Sequence, residues 1–202
     1  MNTRHTRAKP LSRDDRREAI LTAVIPLLIE KGQAVTTAEM AEAAGIAEGT
    51  IFRAFPDKAA LIHEAVKITM DPAPVRVALE AIDATAPIET QLTEAAHILV
   101  ERFDRITALM EVLRTMPLPA TGPPAGARRV VTESIASISA GLTVLLERHR
   151  DRLVIAPSRA AAAFRGLIFA NAHSVMTPEE KLTIDEVVGI LLCGISARPI
   201  GD

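Results

Sequence analysis

Tryptophan and tyrosine are absent from the 202-residue chain, and phenylalanine occurs only five times. Alternating β-branched runs are few, so the pattern favours an all-helical fold. Cysteine is equally scarce. A single Cys193 excludes an intramolecular disulfide framework and a multi-cysteine zinc site, and it suits a reducing cytoplasm. No apolar run reaches the ~20 residues that span a bilayer. Ala19–Ile29 follows basic residues, as a signal-peptide core would. Asp14, Asp15 and Glu18 stand directly before it and no small-x-small cleavage site follows, which argues against that reading. Motifs of nucleotide binding and hydrolysis are missing too: there is no G-x-G-x-x-G, phosphate loop, H-E-x-x-H or G-x-S-x-G.

What is present is apolar material and uneven charge. The chain is 49% hydrophobic, enough for one large core or two small ones. Its net charge is −2, yet residues 1–17 carry six Arg or Lys against Asp14 and Asp15, a local +4. The remainder then carries −6. A basic arm on an acidic body suits a protein with one nucleic-acid-facing end, or a solubilising tail.

Residues 1–12 lack apolar periodicity and are expected to be a disordered basic arm. Arg13–Lys31 predicts a first helix with apolar face Ile20, Val24, Leu27 and Leu28, stopped by Gly32. Pro26 inside it should kink or loosen it. Thr36–Glu39 ("TTAE") is a capping box that opens a short helix to Ala44, with Gly45 at the position where positive φ is cheap. A second short helix spans about Ala47–Ala54. Phe55, before Pro56, is biased out of helix, and Asp57 caps a fourth helix from Lys58 to about Met70. Three helices with a tight "AGIA" turn, around Val35, Met40, Ala44, Ile46, Ile51, Phe55 and Leu61, make a helix-turn-helix head over residues 13–58.

Residues 59–202 form a longer helical part. Pro74–Ala84 is a short helix. Ile88, Leu92, Ala95, Leu99, Phe103, Ile106, Met110 and Leu113 then make one helical stripe, ~39 Å long at ~1.5 Å per residue. Four prolines and two glycines make Met116–Gly126 a loop. A helix over about Ala127–Arg152 shows the stripe Val131, Ile135, Ile138, Leu142 and Leu145. The last two helices, about Ser158–Val175 and Ile184–Ser196, carry small residues and wide apolar faces, with capping boxes at Thr177–Glu180 and Thr183–Glu186. Such faces exceed what one short pair can bury against itself. The pair therefore reads as half of an intermolecular four-helix bundle in a homodimer, with Ala161, Phe169, His173, Val187, Leu191 and Ile195 at the interface; burial inside the monomer is the alternative.

Arg16–Val66 resembles the DNA-binding segment of the tetracycline-repressor (TetR) family of bacterial regulators. The capped "TTAEMAEAAG", the "GTIF" recognition turn, Phe55 and the "DK" corner carry the resemblance over about 50 of the 202 residues. It implies a C-terminal ligand-binding and dimerisation domain, a palindromic double-stranded operator and, usually, repression. A recognition helix reaches base edges only with its front turn and outward face. Here that face offers Ala47, Glu48, Gly49, Thr50, Phe52 and Arg53. Arg53 matches guanine O6 and N7. Thr50 suits a phosphate or a thymine methyl, and Gly49 a close backbone approach or helix packing. Glu48 either reads cytosine N4 or is a tolerated repulsion. Lys58, with Thr36 or Thr37, is expected to clamp phosphate. Departures from the family are Ala47 for its Ser or Thr, Phe52 for Tyr and Ala54 for a frequent His. Arg13, Arg16 or Arg17 would compensate as phosphate contacts.

The resemblance also implies a pocket, with Leu99, Phe103, Ile106, Met110 and Leu113 facing Ile138, Leu142, Phe164 and Ile168. With few aromatics and no evident buried charge, a small apolar effector is expected. Two other readings have less support. Glu94, His97 and Glu101 share a helical face as in di-iron bundles, but no second Glu-x-x-His occurs, so an enzyme is not expected and no cofactor or metal is called for. A helical protein-binding adaptor is the other. A cytoplasmic, membrane-independent regulator is the expectation.

Overall fold

The computed structural model describes residues 12–115, 126–172 and 181–195. Residues 1–11, the 116–125 loop, His173 and the Thr177–Glu180 capping sequence lie outside the described residues, as do the side chains of Gln33, Ala127 and Ile195. Within them the fold is all-α: α1 (Arg13–Lys31), α2 (Thr37–Ala43), α3 (Glu48–Ala54), α4 (Lys58–Thr69), α5 (Ala73–Glu80), α6 (Ile88–Arg114), α7 (Ala127–Glu147), α8 (Pro157–Ala172) and α9 (Ile184–Ile195). The chain divides into two compact units. Residues 1–66 with 108–117 form one, and residues 67–107 with 118–202 the other.

In the first unit, α1 starts on a cap absent from the sequence reading. The Ser12 hydroxyl accepts from the Asp15 amide at 3.1 Å, and the Asp15 carboxylate accepts from the Ser12 amide at 3.3 Å. α1 runs through Pro26 to Lys31. Pro26 and Thr22, whose carbonyl loses its helical partner there, are both exposed, so water can take that bond. Ile20, Leu21, Val24 and Leu28 are buried, as are Val35, Met40, Ile51, Phe55 and Leu61. Ala44, Ile46 and Leu27, expected in this core, are half-buried.

The start of α2 is fixed by local chemistry. The Thr36 hydroxyl accepts from the Glu39 amide at 3.2 Å, and the Glu39 carboxylate accepts from the Thr36 amide at 2.8 Å. The same carboxylate takes the Lys31 ammonium at 2.9 Å. Held first by the Thr36 amide and then by Lys31, the Glu39 carboxyl falls to about 2.

In the second unit, α5 and α8 pack on α7, and α9 packs on α8. Leu79, Leu92, Leu99, Leu142, Phe164 and Val187 belong to one buried core. Gly141 permits the α5–α7 approach: a Cβ there would meet Leu79 Cδ1 at 3.2 Å. By length and composition α7 is apolar enough to cross a bilayer (Arg128–Glu147, 20 residues, hydropathy 1.4), the one such helix among the described residues. Its Ile138, Leu142, Leu145 and Leu146 are instead buried in this core, while Val131 and Ile135, expected on the same stripe, are exposed. The α7 helix stops at Glu147, and a separate 3-10 turn covers Arg150–Arg152.

The expectation of no buried charge does not hold. Arg102, in the middle of the α6 stripe, is buried. Its guanidinium donates to the Met70 and Asp71 carbonyls and to the Ser134 hydroxyl, each at 2.7 Å. The two carbonyls follow the C-terminal end of α4, where backbone acceptors lack helical partners. Burial pushes the Arg102 pKa down from its ordinary value. Hydrogen bonds to a charged group contribute roughly 1.5–3 kcal/mol each before desolvation is subtracted. Arg102→Met keeps the apolar stem and strands three acceptors. We expect it to lower unfolding stability by about 3 kcal/mol in urea titration; a loss below about 0.5 kcal/mol would show the three bonds to be dispensable.

Candidate nucleic-acid interface

The reading element rests on the turn between α2 and α3. Gly45 has φ +63°, a left-handed conformation that side chains rarely adopt. The Ile46 amide donates back to the Ala41 carbonyl and the Gly45 amide to Glu42, both at 3.0 Å. This is the Schellman arrangement, which satisfies the last carbonyls of α2 and turns the chain sharply.

α3 follows after Ala47, which is extended and gives no side-chain cap. Its inner face is Ile51 and Ala54, buried together with Phe55 just beyond. Its other face is open. Ala47, Glu48, Gly49 and Arg53 are exposed, Thr50 is half-buried and Phe52 is 50% exposed. Glu48 and Phe52, and Gly49 and Arg53, are four residues apart and so share one helical face. Arg53 has no carboxylate partner among the described residues.

The structure thus assembles six of the sequence-selected positions on one short element. The others divide. Arg13 and Arg16 are exposed at the start of α1. Thr37 is half-buried in the first turn of α2, and the Thr36 hydroxyl is engaged in its capping box. Lys58 donates to the Val35 carbonyl, tying the start of α4 to the chain before α2. Arg17 does not point away from the head. Its Nη1 donates to the Ala54 carbonyl at 2.6 Å, and its guanidinium lies 4.4 Å from the Phe55 ring centroid. It holds the last turn of α3, with a carbonyl as acceptor and the ring as a cation–π partner.

This arrangement coincides with a known pattern. Residues 20–65 match the family model described as bacterial regulatory proteins, tetR family. The helix-turn-helix segment is thus similar to the DNA-binding part of that family. The match runs from α1 through the turn and α3 into α4. The fold of the chain is similar to that of a TetR-family transcriptional regulator from Agrobacterium tumefaciens, at TM-score 0.60 and 19% identity, covering 92% of this chain and 100% of that one. It is similar to NalD, the secondary repressor of the MexAB-OprM multidrug efflux pump in Pseudomonas aeruginosa, at 0.53 and 18%, covering 92% and 100%. SmeT, solved as a triclosan complex, gives 0.53 and 20%, covering 93% and 95%.

In the second unit, Leu99, Ile138, Leu142, Phe164 and Ile168 lie in one core, with Phe103 against it. Ile106 is half-buried. Met110 and Leu113 belong to the other unit, and Met110 is exposed. Of the residues chosen for a dimer contact, Ala161, Val187 and Leu191 are buried within this chain, whereas Phe169 is exposed and edge-on to Phe103 at 5.5 Å. The exposed apolar or small residues of α8 and α9 include Ala162, Gly166 and Ile190, which were not among the residues chosen for the interface. Ala162 and Ile190 sit one position, or about 100°, around each helix from Ala161 and Leu191. Glu94 and His97 are exposed, Glu101 pairs with Arg105, and among the described residues no group of three or more metal-ligating side chains forms.

Arg17 and Arg16 separate the two roles of basic residues in α1. Arg17→Ala loses a charge-assisted bond and a ring contact, for an expected stability loss of about 2 kcal/mol. Arg16→Ala should change stability by less than about 0.5 kcal/mol. Urea unfolding of both variants measures this, and equal losses would contradict the assignment.

Proposed function

We propose that the chain is a homodimeric, ligand-responsive repressor acting in the cytoplasm on a palindromic operator. Residues 13–58 are its reading head, and residues 59–202 sense the effector and dimerise. The observation that carries the reading is α3: seven residues anchored through Ile51 and Ala54, with Glu48, Gly49, Phe52 and Arg53 presented on one open face.

Arg53 is the principal base reader, its fork matched to guanine O6 and N7. Arg13 and Arg16 supply phosphate contacts and Thr50 a further polar one, while Arg17 and Lys58 act chiefly by holding the head together. Two heads reach successive major grooves, ~34–36 Å apart, when the chain dimerises. The exposed stripe of α8 and α9, with Ala162, Gly166, Phe169 and Ile190, supplies that contact, because small residues let helices approach closely.

The effector site is the core of the second unit, around Leu99, Phe103, Ile138, Leu142, Phe164 and Ile168. These side chains favour a small apolar molecule. SmeT bound to triclosan and NalD, a repressor, share the fold and support a sensing role for it. The effector regulates only if it binds one head spacing more tightly than another.

Selection of duplexes from a random pool by the full chain tests the reading. The wild type should enrich a palindrome with guanine at matching positions of both halves. Arg53→Ala should lose preference at that position by about tenfold or more, as expected for one bidentate base contact of roughly 1–3 kcal/mol. An unchanged preference would remove Arg53 from its role, and no enrichment by the wild type would overturn the function.

A further inference from the structure

Phe52 is out of place as a core residue. Ile51, Ala54 and Phe55 already fill the inner side of α3, and Phe52 is left 50% exposed. It takes part in neither the Phe103–Phe169 pair nor the Arg17–Phe55 contact. What sets Phe52 apart from other exposed apolar residues is its place on the open face of α3, beside Arg53.

Its surroundings define that partner. Phe52 shares the open face of α3 with Glu48, one turn before it. Gly49 has no side chain, and a Cβ built there meets nothing within 4 Å. The ring therefore has clearance to approach a groove floor closely. On either side stand polar residues of opposite character: Glu48 only accepts as a carboxylate, and Arg53 only donates. In the major groove the apolar feature on a base edge is the C5 methyl of thymine.

We infer that Phe52 is a specificity residue that reads a thymine methyl within each operator half-site, beside the guanine taken by Arg53. The inference rests on the DNA-reading role proposed above. Phe52 and Arg53 are adjacent in sequence, so the thymine should fall within about two base pairs of that guanine at ~3.4 Å per step.

The test replaces thymine by deoxyuridine, which removes the methyl and leaves every Watson–Crick and major-groove hydrogen-bonding group in place. The full chain is titrated by fluorescence anisotropy against the selected duplex and against duplexes with single dT→dU changes. Burial of one methyl corresponds to roughly fourfold in affinity, and about sixteenfold when both half-sites are changed. The wild type should show this loss at one thymine per half-site. F52A should bind the thymine and uracil duplexes alike, with an unfolding midpoint equal to that of the wild type because the ring is exposed. F52Y retains the ring and should retain the discrimination. Equal affinity of the wild type for every dU duplex overturns the inference alone, as does discrimination that survives in F52A. Failure to select any duplex overturns it together with the functional reading.

Discussion

A seven-residue helix does not hold itself in water. Helix nucleation is unfavourable, and isolated helices shorter than about 12–15 residues are marginal. α3 exists because the rest of the head fixes it on three sides. The Schellman turn at Gly45 sets its entry, burial of Ile51 and Ala54 sets its inner face, and Arg17 ties its last carbonyl. Burying one large aliphatic side chain contributes roughly 1.5–3 kcal/mol, comparable with the charge-assisted bond from Arg17. Neither the packing nor the bond dominates, so both are needed to keep the outward face in one orientation. The open face with Glu48, Phe52 and Arg53 is a consequence of that inner attachment.

The second unit uses the same device at larger scale. Arg102 accepts burial because three acceptors meet its fork, two of them carbonyls at the end of α4. A long cationic side chain on one helix thus completes the exposed end of another, as Arg17 does for α3. In both cases the arginine acts through its donors and its stem more than through net charge.

Local chemistry made much of this legible. The bounds of α1, the Thr36–Glu39 and Thr183–Glu186 capping boxes, the Asp57 cap and the Gly45 turn each follow from residues within a few positions of one another, and each is present. The resemblance over Arg16–Val66 coincides with the family-model match over residues 20–65 for the same reason: its signals are short-range. The Ser12 cap was missed because its fourth residue is Asp, not the Glu or Gln of the usual box. What failed was the assignment of long side chains. Arg17 and Ala54 are 37 residues apart, and Arg102 and Met70 are 32 apart. Charge pattern shows a cation and says nothing of a distant carbonyl. On α8 and α9 the sequence left open which side the monomer buries: Ala161, Val187 and Leu191 are buried within the chain, and Phe169 is exposed. Small residues surround those helices, so the period does not say which side the monomer buries.

The most direct test of α3 as a sequence-reading element is the affinity of the full chain for a selected palindrome against a scrambled duplex of equal composition, measured as salt rises. Two heads that each engage phosphates through Arg13 and Arg16 neutralise about four charges, which predicts a fall of roughly 100-fold between about 50 and 200 mM salt. The palindrome should remain preferred by about 1,000-fold or more. Equal affinity for the two duplexes, or binding that does not respond to salt, would contradict the assignment of α3 and its basic flank to DNA.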